Sequence, residues 1–79
     1  MKVTVLVRLK PGILDPQGEA IGRALGGLGY AASAVRAGKV FDLELDAADA
    51  QVAEEQAREL ADRVLANPLM EECEVVVHG

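Results

Sequence analysis

Aromatic side chains are nearly absent from this sequence, which has one Phe, one Tyr and no Trp. Proteins that bind single-stranded nucleic acid without sequence preference stack bases on aromatic rings, and no such platform can be built here. Basic residues are also few: eight Lys and Arg stand against thirteen Asp and Glu, and they are scattered singly. The resulting net charge of −5 disfavours nucleic acid or an anionic membrane as a partner.

Cysteine occurs once, at Cys73, so neither an intramolecular disulfide nor a thiolate metal cluster can form. A single cysteine is typical of a cytoplasmic protein. No apolar run is long enough to cross a bilayer, and the first residues lead into a strand pattern rather than a signal peptide. These absences predict a soluble cytoplasmic domain that spans residues 1–79.

Groups that could carry catalysis are scarce as well. The sole histidine, His78, is the penultimate residue, where chain ends fray. The hydroxyls of Thr4 and Ser33 have no base nearby in the sequence, and no glycine pattern of a phosphate-binding loop is present. Adjacent acids near the C-terminus are more typical of a solvated loop than of a metal site: Glu71, Glu72 and Glu74. We therefore predict no catalytic, cofactor-binding or metal-binding residue, and a domain that binds or organises.

What the sequence does contain is ample apolar material in clear periodic patterns, since 51% of its residues are hydrophobic. Period-two alternation predicts strands over residues 3–9 and 40–45. An alanine-rich run gives a weaker signal for a strand over residues 32–37, with a hairpin turn at Gly38-Lys39, and three consecutive valines predict a short strand over residues 74–78. Apolar stripes at helical spacing predict helices over residues 16–28 and from Asp46 or Asp49 to Ala66. The order β-α-β-β-α-β predicts an α+β, ferredoxin-like fold, with two helices on one face of a four-stranded antiparallel sheet. The other sheet face would need polar side chains or a partner, so we expect oligomers formed through sheet surfaces or edges.

The first predicted helix is unusually rich in glycine. Gly26 and Gly27 lie where the helix must end. Gly18 and Gly22 are four residues apart on one face, which leaves open a close approach by another backbone segment.

The turn before this helix, residues 10–20, combines two prolines with a glycine. Pro16 suits the first helical position, and Asp15 before it can cap the orphaned N–H groups of the first turn. Leu14 could pack on Ala20 as a hydrophobic staple. A capped strand-to-helix turn explains Asp15 and Pro16 without any ligand.

Four segments in order resemble the PurS family, the small subunit of phosphoribosylformylglycinamidine synthase. They are residues 9–18 (LKPGILDPQG), 24–30 (ALGGLGY), 35–39 (VRAGK) and 65–71 (LANPLME). The family often has an acidic residue at the position of Pro11, and the first helix is richer here in alanine and glycine. These departures bear on helix stability more than on identity.

The resemblance implies a role in purine biosynthesis as a subunit of an ATP- and glutamine-dependent ligase that makes formylglycinamidine ribonucleotide. It implies that ATP, Mg and glutamine are used by a large synthetase subunit (PurL type) and a glutaminase subunit (PurQ type). The small subunit is expected to bridge these two, to support ammonia transfer and to form a homodimer or a dimer of dimers.

On this resemblance, the candidate interface residues lie in the turn and in the late motif: Lys10, Gly12, Leu14, Asp15, Pro16, Gln17, Asn67 and Pro68. An alternative is a ferredoxin-like regulatory module that binds a small molecule, which calorimetry with metabolites would reveal. An acylphosphatase-like hydrolase is a third hypothesis, but Arg8 and Asn67 stand in the wrong contexts for a phosphate-gripping loop.

Overall fold

The computed structural model describes residues 1–79 and contains three strands and two helices, the second of which ends in a π-helical turn. Along the chain these are β1 (Lys2–Leu9), α1 (Pro16–Gly27), β2 (Gly38–Glu44), α2 (Ala50–Leu60), the π-turn (Ala61–Leu65) and β3 (Glu71–Val77). The predicted α+β fold, with an antiparallel sheet and two helices, is confirmed.

The sheet has the strand order β2-β1-β3, and both pairings are antiparallel. In the centre of the sheet, Val5 pairs with Phe41 on one side and with Val75 on the other. Side chains of β1 alternate, so that Val3, Val5 and Val7 face one side and are at most 1% exposed.

The core is small and is built from small side chains. The three buried valines of β1 meet Ala53, Ala57 and Ala61, which lie at four-residue spacing along α2 and the π-turn. Half-buried residues of β2 and β3, such as Phe41 and Val75, close its edges. Alanines along one helix face let the helix axis lie close to the sheet, so the layer is thin.

One predicted strand is not formed in the chain as it stands. Residues 32–37 belong to no strand and no helix, and the sheet has three strands rather than four. Gly38-Lys39 is not a hairpin turn but the start of β2, where Gly38 pairs with Arg8. Glycine is used here for close approach: a Cβ at Gly38 would lie 2.6 Å from the Val7 carbonyl oxygen.

The first helix also differs from expectation, because α1 makes almost no contact with the sheet. Its single buried residue is Gly18. The helix and the return segment that follows it, residues 28–37, form a projection that we call the arm (residues 16–37). The molecule is elongated, with principal extents of 49 × 25 × 15 Å.

The second helix begins as predicted and ends in a less regular way. Asp49 is its N-cap and accepts a hydrogen bond from the Val52 amide at 2.9 Å. The π-turn then ends at Leu65, and the backbone of Ala66 is extended before Asn67-Pro68. On the exposed face of α2, Arg58 pairs with Glu54, four residues earlier, at 3.0 Å. Neither helix is both long enough and apolar enough to cross a membrane.

Candidate subunit-interface site

The candidate site is centred on the turn between β1 and α1, which we call the elbow (residues 10–17). Gly12 has a φ of +87°, a conformation that glycine adopts without strain. The Ile13 amide donates to the Lys10 carbonyl at 3.1 Å and closes the turn. The elbow is therefore an ordered connection whose shape depends on Gly12 and Pro16.

Asp15 is the most constrained residue of the elbow and is only 5% exposed. Its Oδ1 accepts from the Gly18 amide at 2.9 Å, which confirms the predicted N-cap. Its Oδ2 accepts from the Ala37 amide at 2.8 Å, a contact across twenty-two residues that the sequence did not predict. One carboxylate thus holds both ends of the arm.

The charge of Asp15 is stabilised where it lies. Hydrogen bonds from the amides of Gly18 and then Ala37 hold the pKa of this carboxyl below its ordinary value of 3.8. Burial opposes them and raises the pKa, while the nearby positive charge of Arg36 lowers it further. The carboxylate is ionised near neutral pH and acts as a fixed acceptor.

Arg36 supports the elbow from the other side, and sequence reasoning missed it as a site residue. Its guanidinium donates to three backbone carbonyls at 3.1–3.2 Å, those of Leu9, Lys10 and Ile13. A planar guanidinium with several donors suits such a set of carbonyls, and a lysine could not reproduce it. The one available signal was the VRAGK segment, which contains Arg36.

A second turn lies against the elbow. The Lys10 ammonium donates to the Pro68 carbonyl at 2.8 Å, and the Lys10 amide donates to the Met70 carbonyl at 2.9 Å. Asn67 shapes this turn, since its Oδ1 accepts from the Leu69 amide at 3.0 Å. The structure thus brings together two of the predicted segments that are far apart in the sequence.

The remaining predicted residues lie on the outside of the elbow. Gly12, Pro16 and Gln17 are exposed. Leu14 is 66% exposed and Ala20 is exposed too, so the predicted staple between them is wrong. With Leu69 at 84% exposure on the adjacent turn, this end of the molecule presents apolar side chains to solvent.

The sheet face opposite α2 is open, and polar side chains cover only part of it. The Thr4 hydroxyl donates to Asp42 Oδ1 at 2.8 Å, and His78 Nε2 lies 2.7 Å from Thr4 Oγ1. Because the hydroxyl has one proton and gives it to Asp42, His78 must be the donor to Thr4. His78 is therefore not placed as a base for the hydroxyl, and the three groups only tie the strands together.

Cys73 on β3 faces the core side of the sheet and is half-buried. Burial raises the pKa of its thiol above the ordinary 9.0, and the carboxylates of Asp62 and Glu71 raise it further. The residue stays a thiol at neutral pH, which makes it a packing residue rather than a reactive one.

The fold and these contacts can now be compared with known proteins. Residues 2–79 match the model of the PurS family, described as phosphoribosylformylglycinamidine (FGAM) synthase. The chain belongs to the PurS family. The match covers the elbow, the arm and the second turn together, so the resemblance of the four sequence segments is confirmed.

Individual PurS proteins match this chain over most of their length as well. The phosphoribosylformylglycinamidine synthase subunit PurS of Methanocaldococcus jannaschii is 34% identical over 77 residues, which cover 96% of this chain and 93% of the relative. The subunit of the same name from Mycobacterium leprae is 43% identical over 72 residues, or 90% of this chain and 87% of the relative.

Solved structures agree with the fold described above. The crystal structure of the Methanocaldococcus jannaschii PurS matches with a TM-score of 0.88 at 33% identity, over 98% of this chain and 94% of that one. A chain in the structure of PurLQS from Thermotoga maritima matches with a TM-score of 0.87 at 33% identity, over 95% of this chain and 93% of that one. PurS is a subunit of phosphoribosylformylglycinamidine synthase, a ligase.

Proposed function

We propose that this chain is the non-catalytic assembly subunit of phosphoribosylformylglycinamidine synthase in de novo purine biosynthesis. In this role it bridges the ATP-dependent synthetase subunit and the glutaminase subunit and supports ammonia transfer between them. The observation that carries the proposal is the match to PurS proteins over nearly the whole chain, including a PurS chain in the PurLQS structure. ATP, Mg and glutamine act on the partner subunits, and the assembly works in the cytoplasm.

The elbow and the adjoining turn are the surface that we assign to a partner subunit. Their backbone is held rigid by Asp15, Arg36 and the bond from Lys10 to Pro68, while their outer side chains are exposed. A rigid surface loses little conformational entropy when it binds, which favours affinity. Leu14 and Leu69 supply exposed apolar side chains for contact with the partner.

We also propose that the chain forms a homodimer or a dimer of dimers. A folded monomer of this mass, 8.3 kDa, exposes about 4,600 Å², whereas this chain exposes 5525 Å². The surplus of about 900 Å² is close to the roughly 800 Å² that each partner contributes to a standard interface. We assign this surplus to the arm, because Gly18 is its only buried residue.

The assembly role is tested by reconstitution with the synthetase and glutaminase subunits in the presence of ADP and glutamine. We expect this chain to be retained by the partners, and glutamine-dependent amidine formation to fall without it while ammonia-dependent activity falls less. Full glutamine-dependent activity in its absence would refute the role.

The elbow surface is tested separately with Lys10→Met, which removes the bond to the Pro68 carbonyl. Lys2→Met is the matched control, because Lys2 is an exposed lysine at the opposite end of β1. We expect the Lys10 variant to bind the partners more weakly and the Lys2 variant to bind as the parent does. Equal binding by both variants would exclude the Lys10 contact from the interface.

A further inference from the structure

The backbone ladder between β1 and β2 ends in an unusual way beside the elbow. Met1 and Leu45 exchange both backbone hydrogen bonds at 2.9 Å, and bonded pairs alternate along the two strands from there. The next bonded pair beyond the start of β2 would join Leu9 to Ala37, with the Ala37 amide donating to the Leu9 carbonyl. This amide donates instead to Asp15 Oδ2 at 2.8 Å, and the ladder stops before that pair.

The side chain of Arg36 takes the place of the missing backbone donor. Its Nη2 donates to the Leu9 carbonyl at 3.1 Å and to the Lys10 carbonyl at 3.2 Å, while its Nη1 donates to the Ile13 carbonyl at 3.2 Å. Arg36 belongs to the arm, whereas Lys10 and Ile13 belong to the elbow. A residue of the arm therefore fixes where the elbow backbone leaves the sheet.

This exchange of donors gives the base of the arm two alternative states. In the clamped state, which is the one described above, the Ala37 amide bonds to Asp15 and Arg36 bonds to the elbow. In the released state the Ala37 amide would bond to the Leu9 carbonyl, β2 would gain a residue, and the guanidinium would move into water. The same few groups exchange partners, so the two states are distinct arrangements of one element. Only the clamped state holds the Ile13 carbonyl and, with it, the shape of the elbow.

The arm holds Arg36 only weakly in the single chain. The backbone of residues 31–36 makes no hydrogen bond, and Arg36 itself is exposed. Segments with few bonds and little burial open at a low cost in free energy, so the clamp opens more easily than the sheet beside it. A contact that orders the arm therefore favours the clamped state.

The elbow is also held on its other side. Lys10, whose carbonyl accepts from Arg36, donates through its ammonium to the Pro68 carbonyl at 2.8 Å. A continuous set of hydrogen bonds thus runs from the arm through Arg36 and Lys10 to the second turn. This set crosses the surface that we assign to a partner subunit, so the state of the clamp and the shape of that surface change together.

We propose that Arg36 is a positioning residue that couples self-association through the arm to partner binding at the elbow. Contact with a second copy orders the arm and favours the clamped state, and a partner subunit binds the elbow in that state. The coupling is reciprocal, so partner binding strengthens self-association by the same factor. It rests on the assembly role and the self-association proposed above, and it makes each of them dependent on the other.

The coupling is tested by subunit exchange between isotope-labelled and unlabelled copies of the full chain, followed by native mass spectrometry. Exchange is measured for the chain alone and with saturating synthetase and glutaminase subunits, ADP and glutamine. Arg36→Lys keeps the charge but loses the planar set of donors, and it leaves the core intact because Arg36 is exposed. Arg23→Lys is the matched control, since Arg23 is an exposed arginine of α1 whose side chain makes no hydrogen bond or ion pair.

We expect the partner subunits to slow the exchange of the parent and of Arg23→Lys by about fivefold or more. In Arg36→Lys, still bound to the partners, the change should stay within about twofold. Equal slowing in Arg36→Lys and the parent, no slowing in the parent, or a parent that stays monomeric would each overturn the coupling. Loss of all partner binding in Arg36→Lys would make Arg36 a direct contact and would overturn it as well.

A second measurement needs no partner subunit. Lys10→Met loosens the elbow from the second turn, so it should speed subunit exchange by about threefold or more in the parent and have no effect in an Arg36→Lys background. Lys2→Met is the control and should leave the exchange rate unchanged in both backgrounds. Equal acceleration by Lys10→Met in both backgrounds would contradict the coupling. If the partner subunits do not bind the parent, the assembly role fails, whereas this second measurement still decides the coupling.

Discussion

Replacement of Gly18 by alanine gives a sharp test of how the arm is held. Glycine inside a helix normally costs about 1 kcal/mol relative to alanine, so most such replacements stabilise a protein. At Gly18 the added Cβ would collide with the Val35 carbonyl oxygen and would lie 2.7 Å from Asp15 Oδ2. A backbone atom and a buried carboxylate cannot move away freely, so the sign of the effect should reverse.

The expected loss of stability in Gly18→Ala depends on how the Val35 carbonyl and the Asp15 carboxylate must move. Overpacking of a tight contact costs roughly 1–3 kcal/mol. Displacement of the carboxylate also weakens its bonds to the amides of Gly18 and Ala37, and hydrogen bonds to charged groups contribute about 1.5–3 kcal/mol each. After subtraction of the helix gain, Gly18→Ala should lower the free energy of unfolding by about 2–4 kcal/mol.

Gly22→Ala is the matched control, one turn further along the same face. There the new Cβ would meet Val35 Cγ2 at 3.7 Å, an ordinary contact, and the helix gain of up to about 1 kcal/mol should remain. Urea unfolding followed by circular dichroism measures both variants, at several protein concentrations because self-association adds stability. If Gly18→Ala is as stable as the parent, the close packing of Val35 on α1 is refuted.

Two further predictions concern titratable groups. The folded-state pKa of Asp15 is depressed, so its contribution to stability is present above its ordinary value of 3.8 and is lost as the pH falls through the lower folded value. Asp15→Asn should therefore be less stable than the parent in urea at pH 7, and the difference should shrink as the pH falls from 3.8 through the lower folded value; a constant difference would contradict this reasoning. The raised pKa and partial burial of Cys73 predict slow reaction with a disulfide reagent at pH 8 and fast reaction in denaturant, measured by absorbance. Equal rates in both conditions would show that Cys73 is open in the folded chain.

The local features of the fold could be predicted because they depend on residues that are close together in the sequence. Asp15 and Pro16 begin α1, and Asp49 begins α2, since capping involves residues two or three apart. The alternation of β1 depends in the same way on a short apolar pattern.

Gly38 shows where such local reasoning fails. A glycine followed by a polar residue is typical of a hairpin turn, but here the missing side chain allows β1 and β2 to approach. A glycine in a hairpin turn and a glycine at a close approach of two strands look the same in the sequence. Only the residue that pairs with the glycine distinguishes the two cases. The predicted strand over residues 32–37 failed for a related reason, because a strand needs a neighbour and the single chain offers none.

The candidate site was predicted in part. Lys10 and Pro68 do lie in contact, although no physical rule connects residues fifty-eight positions apart in the sequence. Arg36 was missed because its partners are backbone carbonyls, which every residue type carries. The sequence left open whether another backbone segment approaches α1 at Gly18. The structure shows that this segment contains Val35, and no local sequence pattern could predict its position.

The double role of Asp15 makes the arm a separable insertion in the chain. Because Arg8 pairs directly with Gly38, β1 and β2 form a hairpin whose connection is the elbow and the arm. Both ends of the arm are hydrogen-bonded to the Asp15 carboxylate. The entropy cost of closing this long loop is therefore offset by the bonds of one side chain. Changes in the length or composition of the arm beyond that point can therefore alter what it binds while the register of the sheet and the alanine-lined core stay the same.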